Sequence, residues 1–88
     1  MKTVWKYELQ IQDQQSVLLP AGAEVLTVAV QNGVPCLWAT VDPSRGTKVA
    51  VVQMRGTGHP MDFEGDAEYV GTFFLHGGSL VFHVWVQQ

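Results

Sequence analysis

Thr3, Trp5, Tyr7, Leu9 and Ile11 alternate with Lys2, Lys6, Glu8, Gln10 and Gln12, and only Val4 falls out of phase. Successive side chains of an extended chain point to opposite faces, so this period of two predicts a half-buried strand over residues 3–11. Asp13-Gln14-Gln15 supplies turn residues, and a short second strand over 16–19 is stopped by Pro20-Ala21-Gly22. Residues 24–31 are apolar at both parities (Val25, Leu26, Val28, Ala29, Val30), which predicts a strand covered on both sides. Asn32-Gly33 comes next. Both residues accept positive φ, so a type I′ hairpin leads into a return strand over 34–41. Pro35 has no N–H to give a ladder and points to an edge or first-residue position.

Asp42-Pro43-Ser44-Arg45-Gly46 is a second cluster of turn formers. The next strand, 48–55, carries Val49 and Val51 on one face and Ala50, Val52 and Met54 on the other. Residues 56–68 break every period, with three Gly, one Pro and four carboxylates, and form the one long loop. Residues 69–76 and 79–87 make a last hairpin about Gly77-Gly78. The pattern predicts about seven short strands, no helix and no repeat. The expected fold is a single all-β domain over residues 1–88, a compact antiparallel sandwich or open barrel.

Hydrophobic residues make up 47% of the chain and charged residues 15%, which excludes a solvated, disordered polymer. Five Lys/Arg stand against eight Asp/Glu, a net charge of −3. So few scattered cations cannot make the basic surface that duplex nucleic acid requires. The apolar runs 25–30 and 80–86 are each interrupted by a polar residue. Both fall far short of the ~20 residues of a membrane helix. No apolar leader or cleavage site opens the chain, and Cys36 is the single cysteine, so a reducing, cytoplasmic setting is expected. A chain this short with so few charges leaves aromatic and aliphatic side chains in water unless copies associate. A homo-oligomer is therefore expected.

Arg55-Gly56-Thr57-Gly58-His59-Pro60 brings a guanidinium, two glycines, a hydroxyl and an imidazole together at a strand exit. Glycines let backbone N–H groups approach an anion, and arginine forks onto phosphate or carboxylate oxygens. These residues are the first candidates for a small anionic or nucleotide-like ligand. The plainer reading is a glycine-rich turn with Arg55 at the surface, because no helix follows to complete a phosphate-binding motif. Asp62, Glu64, Asp66 and Glu68 read as a solvated acidic loop that would repel phosphate. His59, His76 and His83 lack short ligand spacing. His83, between Val81 and Trp85, reads as a hydrogen-bonded core or interface residue, and His76 as exposed. Cys36 reads as a buried, inert thiol. Trp5, Tyr7, Trp38, Tyr69, Phe73, Phe74, Phe82 and Trp85 read first as core, with Trp38 and Tyr69 a candidate pair for stacking a base. No catalytic residue, metal or cofactor is expected.

Three segments carry a resemblance: Leu19-Pro20-Ala21-Gly22-Ala23; Gly33-Val34-Pro35-Cys36-Leu37-Trp38-Ala39 with Val41-Asp42-Pro43; and Gly56-Thr57-Gly58-His59-Pro60. Together with Gly71-Thr72-Phe73 and 77–84, they make the chain resemble a family of small uncharacterised proteins encoded by phages and prophages. The resemblance implies an accessory protein acting inside a bacterial host, without established catalytic residues. It leads to the expectation of a non-catalytic, oligomeric binding protein that sequesters a nucleotide-like immune signal or binds a host protein. A structural module of the virion is the alternative, and a small metal-dependent β-barrel enzyme a distant third.

Overall fold

A computed structural model describes residues 1–88. It contains seven strands: β1 (Thr3–Glu8), β2 (Gln14–Pro20), β3 (Glu24–Gln31), β4 (Val34–Val41), β5 (Thr47–Gly56), β6 (Glu68–Leu75) and β7 (Leu80–Gln87). They form two antiparallel sheets, three-stranded β1-β4-β3 and four-stranded β2-β5-β7-β6. The expected all-β sandwich is the observed one.

Alternation accounts for the core. Leu37, Ala39 and Val41 of β4 face Ala50, Val52 and Met54 of β5 and Val84 and Val86 of β7, all buried. At one side the sheets close through β3 and β6. A Cβ built on Gly71 would stand 3.2 Å from Val28 Cγ1, so the missing side chain lets these edges approach. Phe73 and Phe82 stack beside them at 5.4 Å between ring centroids.

Several expectations are corrected. β1 stops at Glu8: the Leu9 N–H donates to Pro35 O at 2.9 Å, and Gln10 and Gln15 then exchange two hydrogen bonds around a corner. Ile11 is left exposed. β3 is an edge strand covered on one face only. A bulge between Val25 and Thr27 turns Leu26 outward, so its apolar run does not report two-sided burial. Pro35 sits in the central strand β4, where its nitrogen faces the side of β1 at the point where β1 has ended. The Asn32-Gly33 hairpin forms as expected, with φ of 51° and 77°. The last hairpin uses residues 76–79: His76, Gly77 and Gly78 all have positive φ, and Ser79 N–H donates back to His76 O. Of the eight aromatic residues assigned to the core, only Phe73 is fully buried, while Trp5, Tyr69 and Phe74 are exposed.

Candidate functional site

The long loop crosses the outer face of the four-stranded sheet as a strap. It leaves β5 at one end of the sandwich and returns to β6 at the other. On that face, by alternation, lie Gln53 and Arg55 of β5, His83, Trp85 and Gln87 of β7, and Tyr69 and Thr72 of β6. Phe63, midway along the strap, lies on the Trp85 ring at 5.8 Å and under the Arg55 guanidinium at 5.2 Å. Further on, Gln87 Nε2 donates to Glu64 O at 2.7 Å.

Arg55 is the anchor. Its Nε and Nη2 donate to Asp62 Oδ1 at 3.2 and 2.9 Å, Nη2 also to Gln53 Oε1 at 3.1 Å, and Nη1 to the carbonyls of Asp13 and Met54. A guanidinium has five N–H donors, and these five bonds use all of them. Gln53 continues the network, donating to Gln14 and Gln87 at 3.0 Å each. The hydrogen bond from Arg55, reinforced by its charge, holds the Asp62 carboxyl below the usual carboxylate range. Arg55 is only 7% exposed, so the surface location considered from sequence does not occur. With no donor left for a ligand, its role is to position the loop.

Beside the strap runs a second chain of polar contacts. Thr57 Oγ1 meets His83 Nε2 at 2.7 Å, His83 Nδ1 meets Thr72 Oγ1 at 2.9 Å, and Thr72 Oγ1 meets the Tyr69 hydroxyl. Threonine hydroxyls both donate and accept, so the neutral imidazole is satisfied in either tautomer. Tyr69 meets the Trp85 ring edge-on at 5.7 Å, and His83 flanks the same indole at 6.4 Å. At the strap's start, Gly58 has φ +89° and His59 N–H donates to Gly56 O at 3.0 Å. The His59 ring lies over Gly56, 3.2 Å from where a Cβ would stand. Gly56, Thr57 and His59 then line a cleft of about 220 Å³ with Ser79, Leu80 and Phe82.

The candidates therefore divide. Thr57 and Tyr69 share the outer face of the four-stranded sheet, Gly58 stands at its end, and Gly56 with the His59 ring over it faces the inner side of that end, in the cleft with Leu80 and Phe82. Trp38 lies on the outer face of the other sheet, in register with Lys6 and Thr27. Trp38 and Tyr69 thus face opposite ways across the sandwich, and one base cannot stack on both within a chain. Cys36 is buried, and His76 is exposed in the last turn. No three His, Cys, Asp or Glu side chains converge in metal-ligand geometry. Thr72 and Phe63 were not singled out from sequence. Phe63 alone gave a signal, as the one aromatic residue inside a polar loop. A cleft of about 300 Å³ at the opposite end, between Leu19, Ala21, Val49 and Lys48, also has no signature in the sequence.

The architecture defines a small antiparallel β-sandwich whose four-stranded sheet is strapped on its outer face. The chain belongs to the family described as Domain of unknown function (DUF7352), whose model matches residues 1–88. Neither a curated protein nor a solved structure matches it. No helix is long and apolar enough to cross a membrane.

Proposed function

We propose that this is a non-catalytic accessory binding protein, of phage origin and acting as a homo-oligomer in the host cytoplasm. Its ligand is a nucleotide-like small molecule, consistent with an anti-defence role, held on the strapped face. The observation that carries this reading is the Thr57–His83–Thr72–Tyr69 chain beside the Tyr69 and Trp85 rings. An exposed tyrosine supplies a stacking surface, and the Thr57 and Tyr69 hydroxyls, held in place through His83 and Thr72, keep acceptor capacity for a base edge. The acidic residues Glu64, Asp66 and Glu68 lie toward the Tyr69 end. A bound phosphate is therefore directed the other way, toward the Thr57 hydroxyl and the backbone of Gly58. Arg55 serves this site by holding the strap.

The test is native mass spectrometry of the protein purified from infected cells, followed by melting curves with the retained compound or a panel of nucleotides. A retained nucleotide mass is expected. At one hundred times Kd, binding stabilises by about 2.7 kcal/mol, a rise of roughly 10 °C or more for a domain this small. Tyr69→Ala and His83→Ala should abolish the rise. No retained mass and no rise with any nucleotide overturns the reading. Capture of a host protein, or copurification with particles, would replace it with the corresponding partner.

A further inference from the structure

We infer that a second copy of this chain docks on the free edge of β2, extending the four-stranded sheet by antiparallel pairing across a twofold axis. The inference rests on the homo-oligomeric part of the reading above and assigns the surface involved.

Two open sheets have four edge strands: β1, β3, β2 and β6. Exposed edges pair with other chains unless charge, proline or a bulge prevents it. β1 carries Lys6 and Glu8. β3 is broken by its bulge between Val25 and Thr27, and β6 by another between Tyr69 and Gly71. β2, Gln-Gln-Ser-Val-Leu-Leu-Pro, has no charge and an unbroken register from Gln14 to Pro20. It alone has no protection along its length. Its one proline stands at the last position, where its carbonyl already accepts from Ala23 N–H.

The direction of its free groups follows from the ladder. Met54 N–H donates to Asp13 O and Ala21 N–H to Gly46 O, and both pairs continue the β2–β5 register. Odd residues therefore bond to β5, and Gln14, Ser16 and Leu18 turn their N–H and C=O groups outward. An uncharged strand paired with its own copy sets no like charges opposite each other. The whole chain has 44 backbone–backbone hydrogen bonds over 88 residues, where roughly 60 are usual for this length. Open edges and the long loop between β5 and β6 both leave backbone groups without a ladder partner.

Side chains flanking the edge supply the apolar surface. Leu18 and Val49 are cross-strand partners on the outer face and are 59% and 57% exposed. Because β3 and β6 close the other side of the sandwich, β1 and β2 end the sheets together at the open side. There Trp5, on the core side of β1 in register with buried Ala39, remains 42% exposed. A stable dimer covers ~800 Å² per copy, about a seventh of the 5437 Å² surface. The contact therefore extends from the strand to Leu18, Val49 and Trp5.

Sedimentation at micromolar concentration and amide hydrogen exchange test this together. The wild type should sediment as a multiple of 9.7 kDa, with the Ser16 and Leu18 amides protected although they point away from β5. Ser16→Pro removes only an outward N–H, and Leu18→Lys places a charge at the edge. Each should weaken association at least tenfold while the fold, checked by circular dichroism, persists. Leu26→Lys, on the β3 edge, should leave the mass unchanged. An oligomer that survives both β2 variants, with the Ser16 and Leu18 amides exchanging freely, overturns the β2 interface and leaves oligomerisation standing. A wild-type monomer overturns both.

Discussion

Under the strap and under β1, polar groups leave the water in opposite ways. The outer face of the four-stranded sheet buries Gln53 and Arg55, two of the most polar side chains available, and gives every guanidinium donor an acceptor. On the core side of β1, the Tyr7 hydroxyl is buried with no partner at all. Desolvation consequently raises the Tyr7 pKa above its usual value of 10. Burial does not decide the energetic outcome in either case. A polar group that keeps its hydrogen bonds stabilises what surrounds it, and one that loses them costs about 1–3 kcal/mol.

The largest expected effect breaks the satisfied side. Arg55→Ala removes five hydrogen bonds and leaves Gln53 and the Asp13 and Met54 carbonyls short of donors, so urea unfolding should show a loss of about 3 kcal/mol. Lysine, with three donors in place of five, should recover only part of it. A loss below about 1 kcal/mol would show that the network is not what holds the strap.

Tyr7→Phe tests the unsatisfied side with the opposite sign. Removing an orphaned hydroxyl should leave stability unchanged or raise it by up to about 1 kcal/mol. With its pKa raised in the folded state, Tyr7 keeps its proton longer folded than unfolded. Its contribution is intact below pH ~10 and is lost above that. The phenylalanine variant should therefore resist alkaline unfolding better than the wild type. A Tyr7→Phe protein less stable than the wild type would mean that the hydroxyl has a partner in solution.

The smallest effect sharpens the comparison at one atom pair. The Asp62 pKa is depressed by its hydrogen bond from Arg55, so the contact is complete above the unfolded carboxylate value of ~3.9 and is lost as pH falls through the lower folded value. Indole fluorescence, which includes Trp85 beneath Phe63, should report loosening of the strap only below about pH 4. Asp62→Asn should remove that acid transition. Because Asp62 is largely exposed, the global melting temperature should barely move.

The strands were legible where local chemistry was decisive. β3 and β4 begin and end where Asn32-Gly33 and the neighbouring Gly22 and Pro43 require, and the aperiodic stretch after β5 was correctly a loop. Strand partners were not legible, because alternation gives one strand's faces and says nothing about its neighbours. For this reason Trp38 and Tyr69 could be paired in sequence and stand on opposite faces in space. Arg55 was misjudged for a related reason. A charged residue at a strand exit reads as surface unless one knows that the following loop doubles back over it. For His83 the hydrogen bonding expected from its place between Val81 and Trp85 is found, to Thr57 and Thr72, but on the half-buried outer face and not in the core.

The Arg55–Asp62 pair joins residues seven apart in sequence and works with Phe63 as a buckle. Between the buckle and the strands, His59, Pro60, Met61, Glu64 and Asp66 are all exposed, and none belongs to the hydrophobic core. This stretch is free to drift, lengthen or change its charge over evolutionary time while the fastening and the sandwich beneath stay as they are. What the protein recognises can change by this route without the fold having to be solved again.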